Sequence, residues 1–263
     1  MNSESRNQLF VFEGWRGVIK LAVVSVALLV GISAALIAIE IAPYRYLNTH
    51  KMARIKDLGQ LNQFRAANAA LAPDSQRVVF IGDSITRMWN IDTLFHNPHY
   101  LNRGIDAQTS ADILVRFRQD VIDLNPRTVI ILDGINDFYE ESLYRSTPDE
   151  QALLNLEGND TTMSELAELH HIQPVFISLL PVHAYTPEAK KLYQLARPDL
   201  VLKANDWLRE YCSAHSYQYI DVFPVMVDSQ GMLKKEYSDD GIHPNEAGYR
   251  TMSQAFSRQF RSE

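Results

Sequence analysis

The sequence is short of cysteine and has no excess of positive charge. Its single cysteine, Cys212, excludes a disulfide within the chain and does not assign a compartment. The 32 Asp and Glu residues outnumber the 25 Lys and Arg residues, which gives a formal net charge of −7 at pH 7. No block rich in Lys and Arg accompanies the motifs described below. This pattern argues against nucleic acid as the main partner.

Several motifs with known chemistry are also missing. The chain has no G-x-S-x-G sequence, which excludes the nucleophile elbow of α/β-hydrolases. It has neither H-E-x-x-H nor a Cys/His cluster, the two commonest signatures of a zinc site. What remains is an ordinary globular composition, 46% hydrophobic and 22% charged, over most of the 263 residues.

One segment departs from this composition. Residues 21–39 carry no charge and are rich in Ala, Val, Leu and Ile. As a helix they would span about 28 Å, close to the hydrocarbon thickness of a bilayer. We therefore predict a tail over residues 1–20 and a transmembrane anchor over residues 21–42. A cleaved signal peptide is the alternative, but the apolar run continues beyond the small residues of its candidate cleavage site.

The rest of the chain alternates between strand and helix patterns. Strands are predicted at 77–82, 99–103, 128–133, 174–180 and 217–223. Helices are predicted at 110–124, 148–170, 188–214 and 246–260. Such alternation indicates a parallel sheet covered on both faces. Helical spacing over 47–72 further predicts a helical stalk or linker at 43–75, or a first helix lying on the domain, with one domain at 76–263.

Four loops at the predicted carboxyl edge of this sheet carry unusual residues, and ligands bind at such edges. Ser84 follows the first strand, Gly104 follows the second, and Asn136 follows the third. His243 enters the last helix three residues after Asp240, which is close enough to hold its Nδ1–H. Each residue alone has an ordinary explanation as a cap or a turn. Their common position at one edge favours a functional site.

The four blocks, in this order, resemble those of the SGNH or GDSL hydrolases. They are Gly82-Asp83-Ser84-Ile85, Gly104, Gly134-Ile135-Asn136-Asp137 and Asp240-Gly241-Ile242-His243. The resemblance covers roughly residues 76–260. Three positions depart from the family pattern: Ile85 stands where the family name has leucine, and Asp106-Ala107 stands where bacterial members often have Ser-Gly, a difference that could alter the pocket and leaves the triad intact.

The resemblance implies a three-layer α/β/α flavodoxin-like domain with a five-stranded parallel sheet. It also implies serine ester hydrolysis without a metal or cofactor. Carried over, Ser84 is the nucleophile, His243 the base and Asp240 the group that orients His243. The backbone N–H groups of Ser84 and Gly104, with the Asn136 side chain, would form the oxyanion hole.

The substrate is less defined by the sequence. Residues 138–147 and 181–187 are expected to form loops over the site. Phe138, Tyr139, Val182 and Tyr185 could line an acyl or sugar pocket there, or pack within those loops. A membrane anchor favours a lysophospholipid or another small-molecule or lipid ester. Acetyl groups on cell-wall or other carbohydrates are the alternative.

Location and two other functional classes complete the expectations. We expect a single-pass membrane protein whose catalytic domain is extracytoplasmic (periplasmic), although the basic residues flanking the anchor are nearly balanced. A metallophosphoesterase is conceivable because several carboxylates and a histidine lie in the loops: Asp83, Asp133, Asp137, Asp240 and His243. An inactive binding module is the other alternative, and the intact four-part set argues against it.

Overall fold

The computed structural model describes residues 31–32, 57–144 and 149–261. From Asp57 onward the chain forms one compact unit. No helix within the described ranges is both long enough and apolar enough to cross a bilayer. Apart from Gly31 and Ile32, the predicted tail and anchor lie outside the described residues, as does the first part of the predicted stalk.

The sheet has five parallel strands, and this part of the prediction is confirmed. The strands are β1 (Val78–Gly82), β2 (Tyr100–Gly104), β3 (Thr128–Leu132), β4 (Gln173–Ile177) and β5 (Gln218–Ile220). They lie in the order β2-β1-β3-β4-β5, which is the flavodoxin-like order. Every residue of β1 and β3 is buried, because helices cover both faces of the sheet.

Ten α-helices lie in the part of the chain that the structure describes. They are α1 (Asn62–Ala69), α2 (Ser84–Met88), α3 (Ile91–Phe95), α4 (Ser110–Asp120), α5 (Ile135–Tyr144), α6 (Asp149–Leu169), α7 (Pro187–Leu195), α8 (Pro198–His215), α9 (Phe223–Met226) and α10 (Glu246–Gln259). Short 3₁₀ turns cover Leu58–Gln60, Ile122–Leu124 and Lys235–Tyr237.

Two helix predictions need correction. The helix expected over 188–214 is two helices, α7 and α8, because Pro198 disfavours a helical conformation at Arg197. Arg197 instead has a left-handed φ of 46°. The loop expected over 138–147 is in large part the helix α5, which begins directly after β3 and includes Phe138 and Tyr139.

An aromatic cluster joins the last helix to the first strand. The Phe80 ring on β1 lies 5.6 Å from the Trp89 ring and 5.5 Å from the Phe256 ring on α10. The Trp89 indole also donates to Ser253 Oγ at 2.8 Å, so its polar atom is satisfied although the residue is buried. This packing fixes the end of the chain against β1 and the turn that follows it.

Close contacts between strands and helices require glycine at two strand ends. A Cβ atom on Gly82 would lie 2.1 Å from the Leu132 carbonyl oxygen of β3. A Cβ atom on Gly104 would lie 2.1 Å from the Arg87 backbone nitrogen of α2. The two glycines are partners in the β1–β2 register. They therefore let the first turn after β1 pack tightly between its neighbours.

The segment before β1 packs on the domain. The Asn68 side chain on α1 donates to Asp120 Oδ1 at 2.7 Å and accepts from Arg103 Nε at 2.8 Å. The Arg103 guanidinium also lies 4.6 Å from the centre of the Phe64 ring. From Asp57 onward, the range assigned to a stalk or linker is thus part of the compact unit.

We expect Asn68→Ala to lower the free energy of unfolding by about 1–3 kcal/mol, because the buried Arg103 Nε loses its acceptor. The measurement is chemical denaturation of the purified protein. Gln63→Ala, at an exposed position on the same helix, is the control and should leave stability nearly unchanged. Equal stability of both variants would show that the Asn68 contacts contribute little.

Candidate active site

The Ser84 side chain is positioned by the turn between β1 and α2. Ser84 is the first residue of α2, and Asp83 is its N-cap. Asp83 Oδ1 accepts the Ile85 backbone N–H at 2.8 Å, which satisfies one of the free donors at the start of the helix. The hydroxyl of Ser84 is therefore held at the carboxyl edge of the sheet, where the sequence placed it.

Three side chains at this edge form a hydrogen-bonded chain. Ser84 Oγ lies 2.8 Å from His243 Nε2, although the two residues are 159 positions apart in the sequence. His243 Nδ1 lies 2.7 Å from Asp240 Oδ2. The other oxygen of Asp240 accepts the backbone N–H groups of Ile242 and His243 at 2.9 and 2.8 Å. The carboxylate is thus fixed by the same loop that carries the imidazole.

This arrangement moves the pKa values of Asp240 and His243 in opposite directions. Burial raises the pKa of Asp240, but hydrogen bonds from the His243 ring and from two backbone N–H groups outweigh that effect and hold it below its usual range. The hydrogen bond to Asp240 raises the pKa of His243 above 6.5, against the opposing effect of burial. An imidazole that donates from Nδ1 to Asp240 presents an unprotonated Nε2 to the Ser84 hydroxyl. It is a stronger base than an isolated histidine.

The Asn136 amide lies beside Ser84 in the first turn of α5. Its Nδ2 donates to the Gln108 carbonyl oxygen at 3.0 Å and makes a long contact of 3.4 Å with Asp83 Oδ2. An amide nitrogen carries two hydrogens, and only the first of these contacts has an ordinary hydrogen-bond length. The second hydrogen is therefore held weakly and can be given to a substrate oxygen.

The backbone N–H of Gly104, which we expected to donate to the oxyanion, has a partner within the protein. Its backbone N–H donates to Asn102 Oδ1 at 2.8 Å, and its missing side chain makes room for Arg87 of α2. The structure thus gives the Gly104 N–H a partner inside the protein, in place of the free donor that we predicted. Ala107, three residues further on, lines the cleft and has a left-handed φ of 57°.

A cleft of about 330 Å³ opens next to Ser84, His243 and Asn136. Of the four residues for which pocket lining and packing within the loops were left open, Tyr139 lines this cleft and the other three do not. Phe138 and Val182 belong to the hydrophobic core, with exposed fractions of 0% and 2%. The Tyr185 hydroxyl donates to Asp228, so this side chain is part of the loop structure.

Several residues of the cleft were not predicted from the sequence. They are Arg87, Met88, Ile135, Leu192 and Ile242, whereas the sequence already marks Asp106 and Ala107 as a departure from the family pattern that could alter the pocket. Arg87 and Met88 follow Ser84 by three and four residues, which places them on the same face of α2. That spacing is a signal the sequence contains. Leu192 gave no such signal, because only the packing of α7 brings it to the edge.

The comparisons with known proteins identify the family of this chain. A family model described as GDSL-like lipase/acylhydrolase matches residues 80–251, well over half of the chain. The chain belongs to this GDSL-like lipase/acylhydrolase family. As a member it is a hydrolase of ester bonds.

Solved structures are similar to it over most of their length. A protein from Bacteroides fragilis described as an acylhydrolase is 32% identical, with a TM-score of 0.67, over 77% of this chain and 96% of that one. A GDSL-like lipase from Bacteroides thetaiotaomicron is 30% identical, with a TM-score of 0.66, over 76% and 97%. A structure described as a platelet activating factor from Streptococcus pneumonia shares 24% identity, with a TM-score of 0.68 over 82% and 98%, and shows a similar fold alone. No match was found among curated proteins.

Three of the four carboxylates considered as metal ligands have other partners in this GDSL-like hydrolase. Asp83 caps α2, Asp240 faces His243, and Asp137 accepts both the backbone N–H and the hydroxyl of Ser110 at 2.9 and 2.6 Å. In the part of the chain that the structure describes, no three His, Cys, Asp or Glu side chains are grouped so as to hold a metal ion.

Two buried carboxyls beneath the site have raised pKa values. Burial raises the pKa of Asp83 to about 7, against the hydrogen bond from the Ile85 N–H. Burial also raises the pKa of Asp137 to about 7, against its hydrogen bonds from Ser110. Between about pH 4 and pH 7, the folded protein therefore holds protons on these two carboxyls that the unfolded chain has already released.

This gives a prediction for the dependence of stability on pH. Between about pH 4 and pH 7 each such carboxyl should lower the free energy of unfolding by about 1.4 kcal/mol per pH unit as the pH rises. Asp137→Asn removes one titrating group, so its stability should fall less steeply than that of the wild type. Urea denaturation at pH 5 and pH 7 measures the slope.

Asp123→Asn, at an exposed position, serves as the control, and its stability should change with pH as steeply as that of the wild type. If Asp137→Asn also keeps that slope, Asp137 does not hold a proton in the folded state at pH 5.

Proposed function

We propose that the enzyme cleaves carboxylic esters through an acyl-enzyme intermediate, with Ser84 as nucleophile, His243 as general base and Asp240 as its orienting partner. The observation that carries this proposal is the continuous chain of hydrogen bonds from Ser84 Oγ through the His243 ring to Asp240 Oδ2. A serine hydroxyl is a weak nucleophile until a neighbouring base accepts its proton. His243 Nε2 is within hydrogen-bond distance to accept it.

In the first half-reaction, the Ser84 proton moves to His243 Nε2 as Oγ bonds to the ester carbonyl carbon. The imidazolium, stabilised by Asp240, then gives this proton to the leaving alcohol oxygen as the carbon–oxygen bond breaks. In the second half-reaction a water molecule loses a proton to His243 and attacks the acyl-enzyme. The same proton returns to Ser84 Oγ as the carboxylic acid leaves, and the enzyme is regenerated.

Negative charge develops on the carbonyl oxygen in both half-reactions, and we assign two donors to it. The Ser84 backbone N–H lies at the first position of α2, where a helix offers no acceptor of its own. The second donor is the Asn136 side chain, through the amide hydrogen that Asp83 holds only weakly. Donors fixed in advance in this way stabilise the charge without rearranging during the reaction.

For the substrate we propose an ester with an acyl chain longer than acetyl, such as a fatty acyl ester or a lysophospholipid. The cleft has a volume of about 330 Å³, and an acetyl group alone would leave most of it empty. Its walls include the apolar side chains of Met88, Leu192 and Ile242. An acyl chain of moderate length would bury these surfaces.

A carbohydrate O-acetylesterase is the second candidate. It is favoured by the ion pair between Arg87 and Asp106, which lies in the cleft wall and is about half exposed. These charged groups offer hydrogen bonds that sugar hydroxyls can use.

We expect Ser84→Ala and His243→Ala each to reduce ester hydrolysis to near background, because the two side chains act as a unit. The double variant should be no slower than either single variant. Rates with a chromogenic ester and labelling with a fluorophosphonate measure this. Cys212→Ser, at a buried position on α8 that does not line the cleft, is the control and should retain activity. Full activity of folded Ser84→Ala would exclude the proposed nucleophile.

The acyl preference has its own test. With a series of p-nitrophenyl esters from acetate to octanoate, we expect kcat/KM to rise with chain length. Leu192→Trp should narrow the cleft and lower the octanoate-to-acetate ratio by about 10-fold, the effect of a few lost methylene contacts. Gln194→Trp, at an exposed position on the same helix, should not change the ratio. A wild-type enzyme that prefers acetate would favour the O-acetylesterase.

A further inference from the structure

We propose that Gln108 and Arg116 are positioning residues that hold the Asn136 amide and the Ser84 turn in one fixed relation. Neither residue lines the cleft. They act from beneath it, through a ring of hydrogen bonds that joins the loops after β1, β2 and β3. The inference rests on the proposed function, because it concerns how the oxyanion donor of that reaction is oriented.

Arg116 is the centre of this ring. Its side chain on α4 is fully buried, and each of its three nitrogens has a different acceptor. Nη2 donates to the Gly82 carbonyl oxygen at 2.9 Å, Nε donates to Gln108 Oε1 at 2.6 Å, and Nη1 pairs with Asp120 Oδ2 at 3.1 Å. Because the guanidinium is planar and rigid, these three acceptors are held at fixed distances from one another.

The contact with Gly82 reaches the nucleophile turn. Gly82 is the last residue of β1 and lies two positions before Ser84. Its carbonyl oxygen also accepts the Ile105 N–H at 3.1 Å, at the beginning of the loop after β2. Arg116 therefore acts on the point where the first two loops leave the sheet.

The contact with Gln108 reaches the oxyanion donor. The Gln108 side chain is buried, with Oε1 bound to Arg116 and Nε2 donating to the Gly59 carbonyl oxygen at 3.1 Å. With both ends of the side chain held, the backbone of Gln108 is fixed as well. Its carbonyl oxygen accepts the Asn136 amide at 3.0 Å, the shorter of that amide's two contacts.

The ring closes through Asp83. Asn136 Nδ2 makes its second contact with Asp83 Oδ2, and Asp83 is bonded covalently to Gly82 and Ser84. The direction of the Asn136 amide thus depends on the Gln108 carbonyl, which depends on Arg116. A displacement of about 1 Å in a catalytic group can lower a rate by about 100-fold. Loss of the Gln108 side-chain contacts should therefore reduce turnover without removing any group that touches the substrate.

The test compares Gln108→Met with Gln119→Met. Both glutamines donate to the backbone of the N-terminal segment, Gln119 to the Leu61 carbonyl oxygen at 2.7 Å. Gln108→Met also leaves the buried Arg116 Nε without its acceptor, so it should lose more thermal stability than Gln119→Met, and kcat must be compared per folded active site. Only Gln108→Met should lower kcat, by about 10- to 100-fold with KM nearly unchanged, since the lost orientation matters mainly in the transition state. Fluorophosphonate titration gives the concentration of folded active sites for each kcat.

A double-mutant cycle with Asn136→Ala separates positioning from general destabilisation. If Gln108 acts through Asn136, adding Gln108→Met to Asn136→Ala should lower kcat no further. Gln108→Glu, which keeps the acceptor for Arg116, should restore most of the turnover. If Gln108→Met is too unstable to purify, Gln108→Asn replaces it, since the shorter side chain cannot reach Arg116 and the same loss of kcat is expected.

Additive losses in the cycle, unchanged kcat in Gln108→Met or its replacement Gln108→Asn, or an equal loss in Gln119→Met would each overturn the inference. Wild type and Ser84→Ala are run in the same assay. If Ser84→Ala is as active as the wild type, the proposed function itself fails. If Ser84→Ala is inactive and the cycle is additive, only the positioning role fails.

Discussion

The whole site depends on the register in which β1 pairs with both of its neighbours. Gly82 lies level with Gly104 of β2 and with Leu132 of β3, so three loops leave the sheet at the same height. Such a register brings loops together only if the strand ends pack closely. The missing side chain of Gly82 allows this, because the β3 backbone occupies the space that a Cβ atom would need. The Ser84 hydroxyl, the Asn136 amide and the loop after β2 are therefore neighbours because of the strand register.

The carboxyl groups near this edge of the sheet lie in two different environments, one buried and one at the half-exposed rim. Burial raises the pKa of Asp133 and Asp160, and each has one side-chain oxygen without a hydrogen-bond partner among the described residues. Neutral, protonated carboxyls suit such positions. Asp240 lies at the rim, where backbone and imidazole donors hold it ionised. The ionised carboxylate that serves the reaction, Asp240, thus lies at the half-exposed rim beside His243. The carboxyls of Asp133 and Asp160 lie buried below it and suit the neutral form, so environment separates their roles.

The sequence was sufficient for the parts of the fold that follow local periodicity and for the residues of short motifs. The strand positions, the turn that carries Ser84 and the Asp240–His243 spacing are of this kind, whereas the strand order was an expectation from the family resemblance. It was insufficient wherever tertiary packing decides. For Phe138 and Val182 the sequence left pocket lining and packing within the loops equally open, and only the helix α5 and the surrounding layers place them in the core. The N–H of Gly104 could be assigned only once Asn102 was seen to accept it, and the Leu192 contribution needed the position of α7.

The distance in sequence between Ser84 and His243 has a consequence for synthesis on the ribosome. The nucleophile and its base are separated by 159 positions, and the loop bearing the base is held by α10, whose Tyr249 hydroxyl donates to the Ile85 carbonyl oxygen at 2.8 Å. Four of the five strands can pair before this helix has left the exit tunnel. A nascent chain that has not yet exposed residues 240–243 lacks the base that would activate Ser84. The active site is therefore completed only when α10 and the loop before it pack against the turn after β1.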